Sequence, residues 1–111
     1  MKFDLEKEGL ETLFKPWQIR ILDYLWDRGS ATSREIWKYI MGTDTPISRA
    51  SVIFFLNEMT KEGFVKVKII TGRGGMKGLY SPAMSKDKFL TEISMRIVEK
   101  VNEALLSKIE E

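Results

Sequence analysis

The sequence predicts a small α+β domain that is mostly helical. Apolar residues recur at helical spacing in three segments before residue 62 and in one long segment after residue 85. Between them, β-branched residues alternate with lysines and a glycine-rich stretch follows, which is the pattern of a two-stranded hairpin. A chain of 111 residues is long enough for one modest core and too short for a two-domain enzyme built around a deep cleft.

The first 14 residues, "MKFDLEKEGLETLF", are predicted to form an N-terminal arm or a short helix interrupted near Gly9. The first full helix is predicted from Pro16 to Arg28, because proline suits the first helical turn and Gly29 follows the last one. Lys15 precedes this helix and is a poor capping residue. We therefore expect packing to hold the start of the helix in place.

Two more helices follow in close succession. The second is predicted from Ser33 to Met41, because Thr32 and Glu35 have the spacing of a capping box. The turn "GTDTP" ends it. The third helix has the body "RASVIFFLNEMTKE", with Ser48 as its cap and Gly63 as its stop.

The rest of the chain is predicted as strand, turn, strand and helix. "FVKVKIIT" is the first strand and "GLYSP" is a short return strand. Ser85 then caps a long helix whose apolar residues recur at gaps of three and four, namely Leu90, Ile93, Ile97, Val101 and Leu105. This face is predicted to be a dimer interface, and the alternative is that it packs back onto its own domain.

The order of these elements is that of a winged helix-turn-helix domain. Its third helix is the candidate reader of a DNA major groove, and its hairpin is the wing. The predicted organisation is therefore an arm over residues 1–14, a DNA-binding domain over residues 15–83 and a dimerisation helix over residues 84–111.

Composition excludes several classes of function. The chain has no cysteine and no histidine, which removes disulfides, thiolate or imidazole metal sites and the common nucleophile-base pairs. We expect no enzyme activity, no cofactor and no metal. No apolar run reaches membrane-spanning length and the start has acids where a signal peptide needs apolar residues, so a cytoplasmic protein without a membrane partner is expected.

Charge separates the middle of the chain from its ends. Residues 15–83 hold 11 basic and 6 acidic residues, a net charge of +5, whereas residues 84–111 hold 5 basic and 6 acidic residues. A basic central module between less basic ends is typical of a nucleic-acid-binding protein.

Particular stretches resemble the penicillinase-repressor family of winged-helix transcriptional regulators. They are "ILDYLWDRGSATSREIW", "ISRASVIFFLNEMTKEGFV" and "GLYSP", which together span about residues 16–83. The third helix and the wing are also similar to those of the phenolic-acid-decarboxylase regulators. The resemblance implies a homodimer that binds a palindromic operator in double-stranded DNA and represses transcription. Copper-responsive members end in a cysteine motif that this chain lacks, so copper sensing is excluded.

The third helix has one face for a core and one for a partner. Val52, Phe55, Leu56 and Met59 are predicted to be buried. The other face carries the predicted DNA contacts Ser48, Arg49, Ala50, Ile53, Phe54, Asn57 and Lys61. Arginine suits guanine, asparagine suits adenine, and apolar side chains suit thymine methyl groups. Alternatively, Ile53 and Phe54 contact the arm, the wing or a protein, and the chain is then a protein-interaction module.

The stretch "TGRGGMKGLY", residues 71–80, poses a separate question. Neither a Walker loop nor a dinucleotide fingerprint fits, because Lys77 is followed by Gly78 and Leu79 and the stretch leads into a strand. We interpret it as a wing tip. From Phe64 to Tyr80 there is no acid, and the predicted phosphate contacts are Lys66, Lys68, Arg73 and Lys77. An ordinary solvated hairpin is the alternative.

Overall fold

The computed structural model describes residues 10–110 and confirms the mostly helical α+β fold. Within these residues, five helices and the three strands of one sheet follow one another: α1 (Leu10–Leu13), α2 (Pro16–Arg28), β1 (Ala31–Thr32), α3 (Ser33–Met41), α4 (Arg49–Lys61), β2 (Val65–Gly72), β3 (Gly75–Pro82) and α5 (Lys86–Glu110). The predicted bounds of α2 and α3 are confirmed. Of the predicted arm, residues 1–9 lie outside the described residues.

Side-chain caps define where the helices begin. The Thr32 hydroxyl accepts from the Glu35 backbone N–H at 3.2 Å, and the Glu35 carboxylate accepts from the Thr32 backbone N–H at 3.0 Å. This is the predicted capping box. Ser48 caps α4 by accepting from the Ser51 backbone N–H at 3.2 Å. The start of α2 also has a polar contact that we did not predict, because the Gln18 side chain accepts from the Lys15 backbone N–H at 2.9 Å.

The sheet has the order β1-β3-β2 and is antiparallel throughout. β1 was not predicted. Its two residues are too few to show an alternating pattern, and it exists only because Ala31 pairs with Tyr80 and Thr32 with Leu79. A strand of this length is defined by its partner rather than by its own sequence.

The glycine-rich stretch is mostly strand, so the prediction of a short return strand was wrong. β3 begins at Gly75, which pairs with Gly72, and only Arg73 and Gly74 form the turn. Gly74 and Gly75 have φ values of +91° and +112°, which glycine adopts without strain. Gly78 permits close packing instead, since a Cβ there would lie 3.2 Å from Val67 Cγ2.

The core lies between the helices and the sheet. The predicted core face of α4 is confirmed, since Val52, Phe55, Leu56 and Met59 are all buried. They pack in one cluster with apolar side chains of the other elements, among them Ile21, Leu22, Leu25, Ile36, Ile40, Val65 and Tyr80. The burial of one face leaves the opposite face of α4 on the surface.

The long helix α5 divides into two parts. In the first part Phe89 and Ile93 are buried in the core, and Leu90 and Ile97 are half-buried against it. In the second part the apolar residues Val98, Val101 and Leu105 are 56%, 52% and 55% exposed. The structure therefore corrects the prediction of one continuous interface, because Ile93 belongs to the core of its own chain.

Contacts outside the apolar core also hold α5 in place. The Arg96 guanidinium donates to the Glu62 carboxylate at 2.6 Å and lies 4.3 Å from the centre of the Phe64 ring. The Trp26 indole N–H donates to the Met84 carbonyl oxygen at 3.1 Å. Among the described residues, no helix combines the length and the apolar character needed to span a membrane.

Candidate nucleic-acid interface

The exposed face of α4 carries a continuous line of side chains. Ala50, Phe54, Asn57 and Lys61 follow one another at gaps of four, three and four residues, which places them on one side of the helix, opposite the core. All four are exposed, and Phe54 is 69% exposed. We refer to these four residues as the outer line of α4.

The other predicted contacts of this helix lie beside or before the outer line. Arg49 is exposed at the first position of α4, whereas Ile53 is half-buried. Ser48 is exposed, but its hydroxyl oxygen already accepts from the Ser51 backbone and lies 2.9 Å from the Ser51 hydroxyl. Ser48 thus has a demonstrated role as the cap of α4.

An open groove of about 690 Å³ lies beside the start of α4. It is lined by Thr32, Ser33, Arg34, Glu35, Lys38, Arg49, Met76, Lys77 and Gly78. The groove brings together Arg49 and Lys77, which are 28 positions apart in the sequence. It also adds Arg34 and Lys38, which we did not predict as site residues. Their spacing of four on an exposed helix face was the signal that could have found them.

In the wing, the strand register places lysines on one face of the hairpin and exposed apolar side chains on the other. Lys66 pairs with Ser81, Lys68 with Leu79 and Ile70 with Lys77, so the three lysines lie on one face of the hairpin. The other face carries Val67, Ile69 and Met76, which are 42%, 57% and 77% exposed.

The two cations predicted near the wing tip lie at different places. Arg73 is in the turn, as predicted. Lys77 lies within β3, where it pairs with Ile70 and lines the groove beside α3. Lys77 was predicted near the tip of a longer glycine turn, whereas the pairing of Gly72 with Gly75 shortens the turn and places Lys77 at the third residue of β3.

Within the part of the chain that the structure describes, the cations of this surface have no acidic partner. Among the side chains that the structure describes within residues 10–110, no carboxylate lies within 4.0 Å of the charged nitrogens of Arg34, Lys38, Arg49, Lys61, Lys66, Lys68, Arg73 or Lys77. Arginines elsewhere are paired: Arg28 with Glu35 and Arg96 with Glu62, both at 2.6 Å. Unpaired cations on one side of a molecule attract a polyanion. Among the described residues 10–110, no group of acidic side chains that could hold a metal ion is found.

Glu35 is the acid that lines the groove, and its carboxylate is part of the capping box at the start of α3. The Thr32 backbone N–H, which donates to it, holds the pKa of Glu35 below its ordinary value. Burial opposes this effect, and the Thr32 hydroxyl together with the positive charges of Arg28 and Lys77 adds to it. The capping box therefore keeps this carboxylate ionised.

The lowered pKa of Glu35 predicts a pH-dependent stability. Because its folded-state pKa lies below the unfolded value of about 4.3, the carboxylate stabilises the fold fully above that pH, and the stabilisation is lost as the pH falls through the folded-state pKa. We expect the urea midpoints of the unaltered chain and of Glu35→Gln to differ at neutral pH and to converge as the pH falls through the lowered pKa of Glu35. A difference that is independent of pH would contradict this assignment.

A three-helix unit with an exposed third helix and a basic hairpin defines a winged-helix domain. Solved structures with this fold include PadR of Bacillus subtilis in complex with operator DNA, which is 22% identical with a TM-score of 0.59, the match covering 71% of this chain and 45% of PadR. A PadR-family regulator from Eggerthella lenta is 14% identical with a TM-score of 0.61 over 91% of each chain. A possible transcriptional regulator from Methanosarcina mazei is 10% identical with a TM-score of 0.67 over 96% of this chain and 90% of that one.

Sequence comparison identifies the family within this class. The pattern of the penicillinase repressor family matches residues 16–109, and the chain belongs to that family. The predicted resemblance is thereby confirmed and extends beyond the wing into α5. Among curated proteins, no sequence matches the chain. The family is one of transcriptional regulators, not of enzymes.

Proposed function

We propose that the chain is a DNA-binding repressor that acts as a homodimer on a two-fold symmetric operator. The observation that carries the proposal is the set of cations on α3, α4 and the wing that have no carboxylate partner among residues 10–110, several of which line the groove beside the start of α4. A helix of this kind fits the major groove of B-DNA, which admits an α-helix. Membership of the penicillinase repressor family supports the repressor role.

Phosphate contact is assigned to the groove and the wing. Arg49 and Lys77 both line the groove. Arg34 and Lys38 extend the positive charge along α3. Lys66 and Lys68 continue it along the wing, which ends at Arg73. Such contacts position a protein on duplex DNA without reading its sequence. PadR, which shares the fold, was solved in complex with operator DNA, and this supports DNA as the partner of this chain.

Dimerisation is assigned to the second part of α5. The second part of α5 lies beyond the contacts of this helix with its own core. It exposes Val98, Val101 and Leu105. Large apolar side chains repeated at gaps of three and four are typical of helix–helix contacts. We therefore propose residues 15–83 as the DNA-binding domain, with dimerisation from the C-terminal region over residues 84–111. A DNA target also supports a cytoplasmic location.

A second candidate function is a protein-interaction module. Phe54 borders a shallow depression of about 620 Å³ with Leu13 and Trp17, and both Phe54 and Leu13 are largely exposed. An apolar patch of this kind can mark a protein contact. A protein-interaction module has no need of the unpaired cations, so the DNA-binding function is the better supported of the two.

The test is the salt dependence of duplex binding by the full chain. We expect the logarithm of the association constant to fall linearly with the logarithm of salt concentration in fluorescence anisotropy. Replacing Lys66 and Lys68 with glutamine should reduce the magnitude of the slope by about 0.9 for each phosphate that the variant no longer neutralises.

The matched control replaces Lys88 and Lys100, two exposed lysines of α5 outside the groove and the wing, with glutamine. We expect the control to keep the slope of the unaltered chain. If the full chain binds no duplex at low salt, the proposed function is wrong. If both double variants lower the slope equally, the assignment to the wing is wrong.

A further inference from the structure

The outer line of α4 is chemically unusual for a DNA-reading surface. It contains one large apolar ring, Phe54, next to the short side chain of Ala50, with Asn57 three residues further on. Lys61 ends the line in the last turn. No acid and no arginine lie on these four positions. Of the two outer-line residues in the first half of α4, the one with the larger side chain therefore presents a hydrocarbon ring.

The Phe54 ring does not pack into the core of its own chain. Phe54 remains 69% exposed, whereas the next residue, Phe55, is 3% exposed and lies against the Trp17 ring at 5.5 Å. Burying an apolar side chain of this size stabilises a complex, so an exposed ring favours a partner that offers apolar surface at that point.

The cations around the ring select the kind of partner. Arg49 precedes Phe54 on α4, Lys61 follows it, and the groove adds Arg34, Lys38 and Lys77. A polyanion is favoured by this charge, and in a DNA major groove the apolar surface is the C5 methyl group of thymine. Asn57 suits adenine, which donates from N6 and accepts at N7 in the same groove.

Resting on the DNA-binding function proposed above, we propose that Phe54 is a specificity-determining residue that packs on thymine methyl groups. Asn57 then pairs with adenine in the same or a neighbouring A·T pair. The operator half-site contains A·T pairs at the positions under the second turn of α4. The contact of Phe54 with thymine depends on the methyl group rather than on a hydrogen bond, so it distinguishes thymine from uracil.

The test changes the DNA by single methyl groups. A preferred duplex is selected from a random library with the full chain, and each thymine of a half-site is replaced in turn by deoxyuridine. We expect one or two positions at which the dissociation constant rises about fourfold, as expected for the loss of one buried methyl group. At the other positions, uracil should be tolerated.

Protein variants then assign the effect to Phe54. In Phe54→Ala we expect the thymine and uracil duplexes to bind equally at the sensitive positions. The matched control is Met95→Ala, another exposed apolar residue, which lies on α5 and should keep the fourfold difference. Far-UV circular dichroism of both variants verifies that they are folded.

The outcomes separate this inference from the function on which it rests. Salt-dependent duplex binding with no sensitive thymine overturns the inference and leaves the DNA-binding function in place. A chain that binds no duplex at all overturns the function as well. If Phe54→Ala changes neither the affinity nor the preference for thymine, the assignment is wrong and the ring is available for a protein contact instead.

Discussion

Replacing Phe89 with alanine is expected to lower the free energy of unfolding by about 3–5 kcal/mol. The side chain is 1% exposed. Its ring centre lies 4.8 Å from that of Phe64, 5.3 Å from that of Trp26 and 5.9 Å from that of Phe14. These rings belong to three different parts of the chain, so Phe89 joins the start of α5 to all of them.

The expected loss of unfolding free energy in Phe89→Ala is a large share of the total stability of this domain. A domain of this size has a total stability of about 5–15 kcal/mol, and deletion of a buried ring removes its transfer energy and leaves a cavity. Urea unfolding followed by circular dichroism measures the change through the midpoint of the transition.

Phe54→Ala is the matched control, because it deletes the same ring at a site that is 69% exposed. Its stability should stay within about 0.5 kcal/mol of the unaltered chain. Equal losses in the two variants would contradict the central place of Phe89 in the core.

Replacing Leu105 with glutamate is expected to convert the proposed dimer to a monomer and to weaken operator binding by about 10²–10⁴-fold. Leu105 is 55% exposed and continues the line of Val98 and Val101 on α5. In a two-fold symmetric contact each substitution appears twice, so two negative charges would be buried without partners. The loss of affinity follows because a monomer engages only one half-site at a time.

Ser107→Glu is the control of equal charge change, since Ser107 lies on α5 two residues further along the helix, away from the line of Val101 and Leu105. We expect this variant to remain dimeric in sedimentation equilibrium and to keep its operator affinity. Val101→Glu should behave as Leu105→Glu does. A monomeric mass for the unaltered chain, or an unchanged dimer in both glutamate variants, would show that the second part of α5 is not the interface.

Helix ends were predictable because their signals are local. The capping box of Thr32 and Glu35 and the Pro16 start involve residues at most three positions apart, so the sequence displays the whole interaction. The core face of α4 was predictable for a similar reason, since helical periodicity alone separates Phe55 from Phe54.

Phe89 shows why the core contacts of α5 were less predictable. It adjoins Leu90, and periodicity along α5 can include either residue in a continuous apolar face. The predicted apolar line runs through Leu90, but Phe89 is the more deeply buried. Which of these two residues is buried depends on how α5 packs against Phe14, Trp26 and Phe64, and these three residues lie far away in the sequence.

By itself, the sequence determined the class of fold, the order and ends of the main helices, and the residues that α4 turns toward its core and away from it. These properties depend on capping, turn residues and periodicity, which act over a few neighbouring positions. Three other features come from the three-dimensional packing: Thr32 pairs with Leu79, Arg49 and Lys77 share a groove, and the apolar face of α5 is covered in its first part and exposed in its second. Each of these depends on contacts between residues distant in the chain, and such contacts are set by the packing of whole elements.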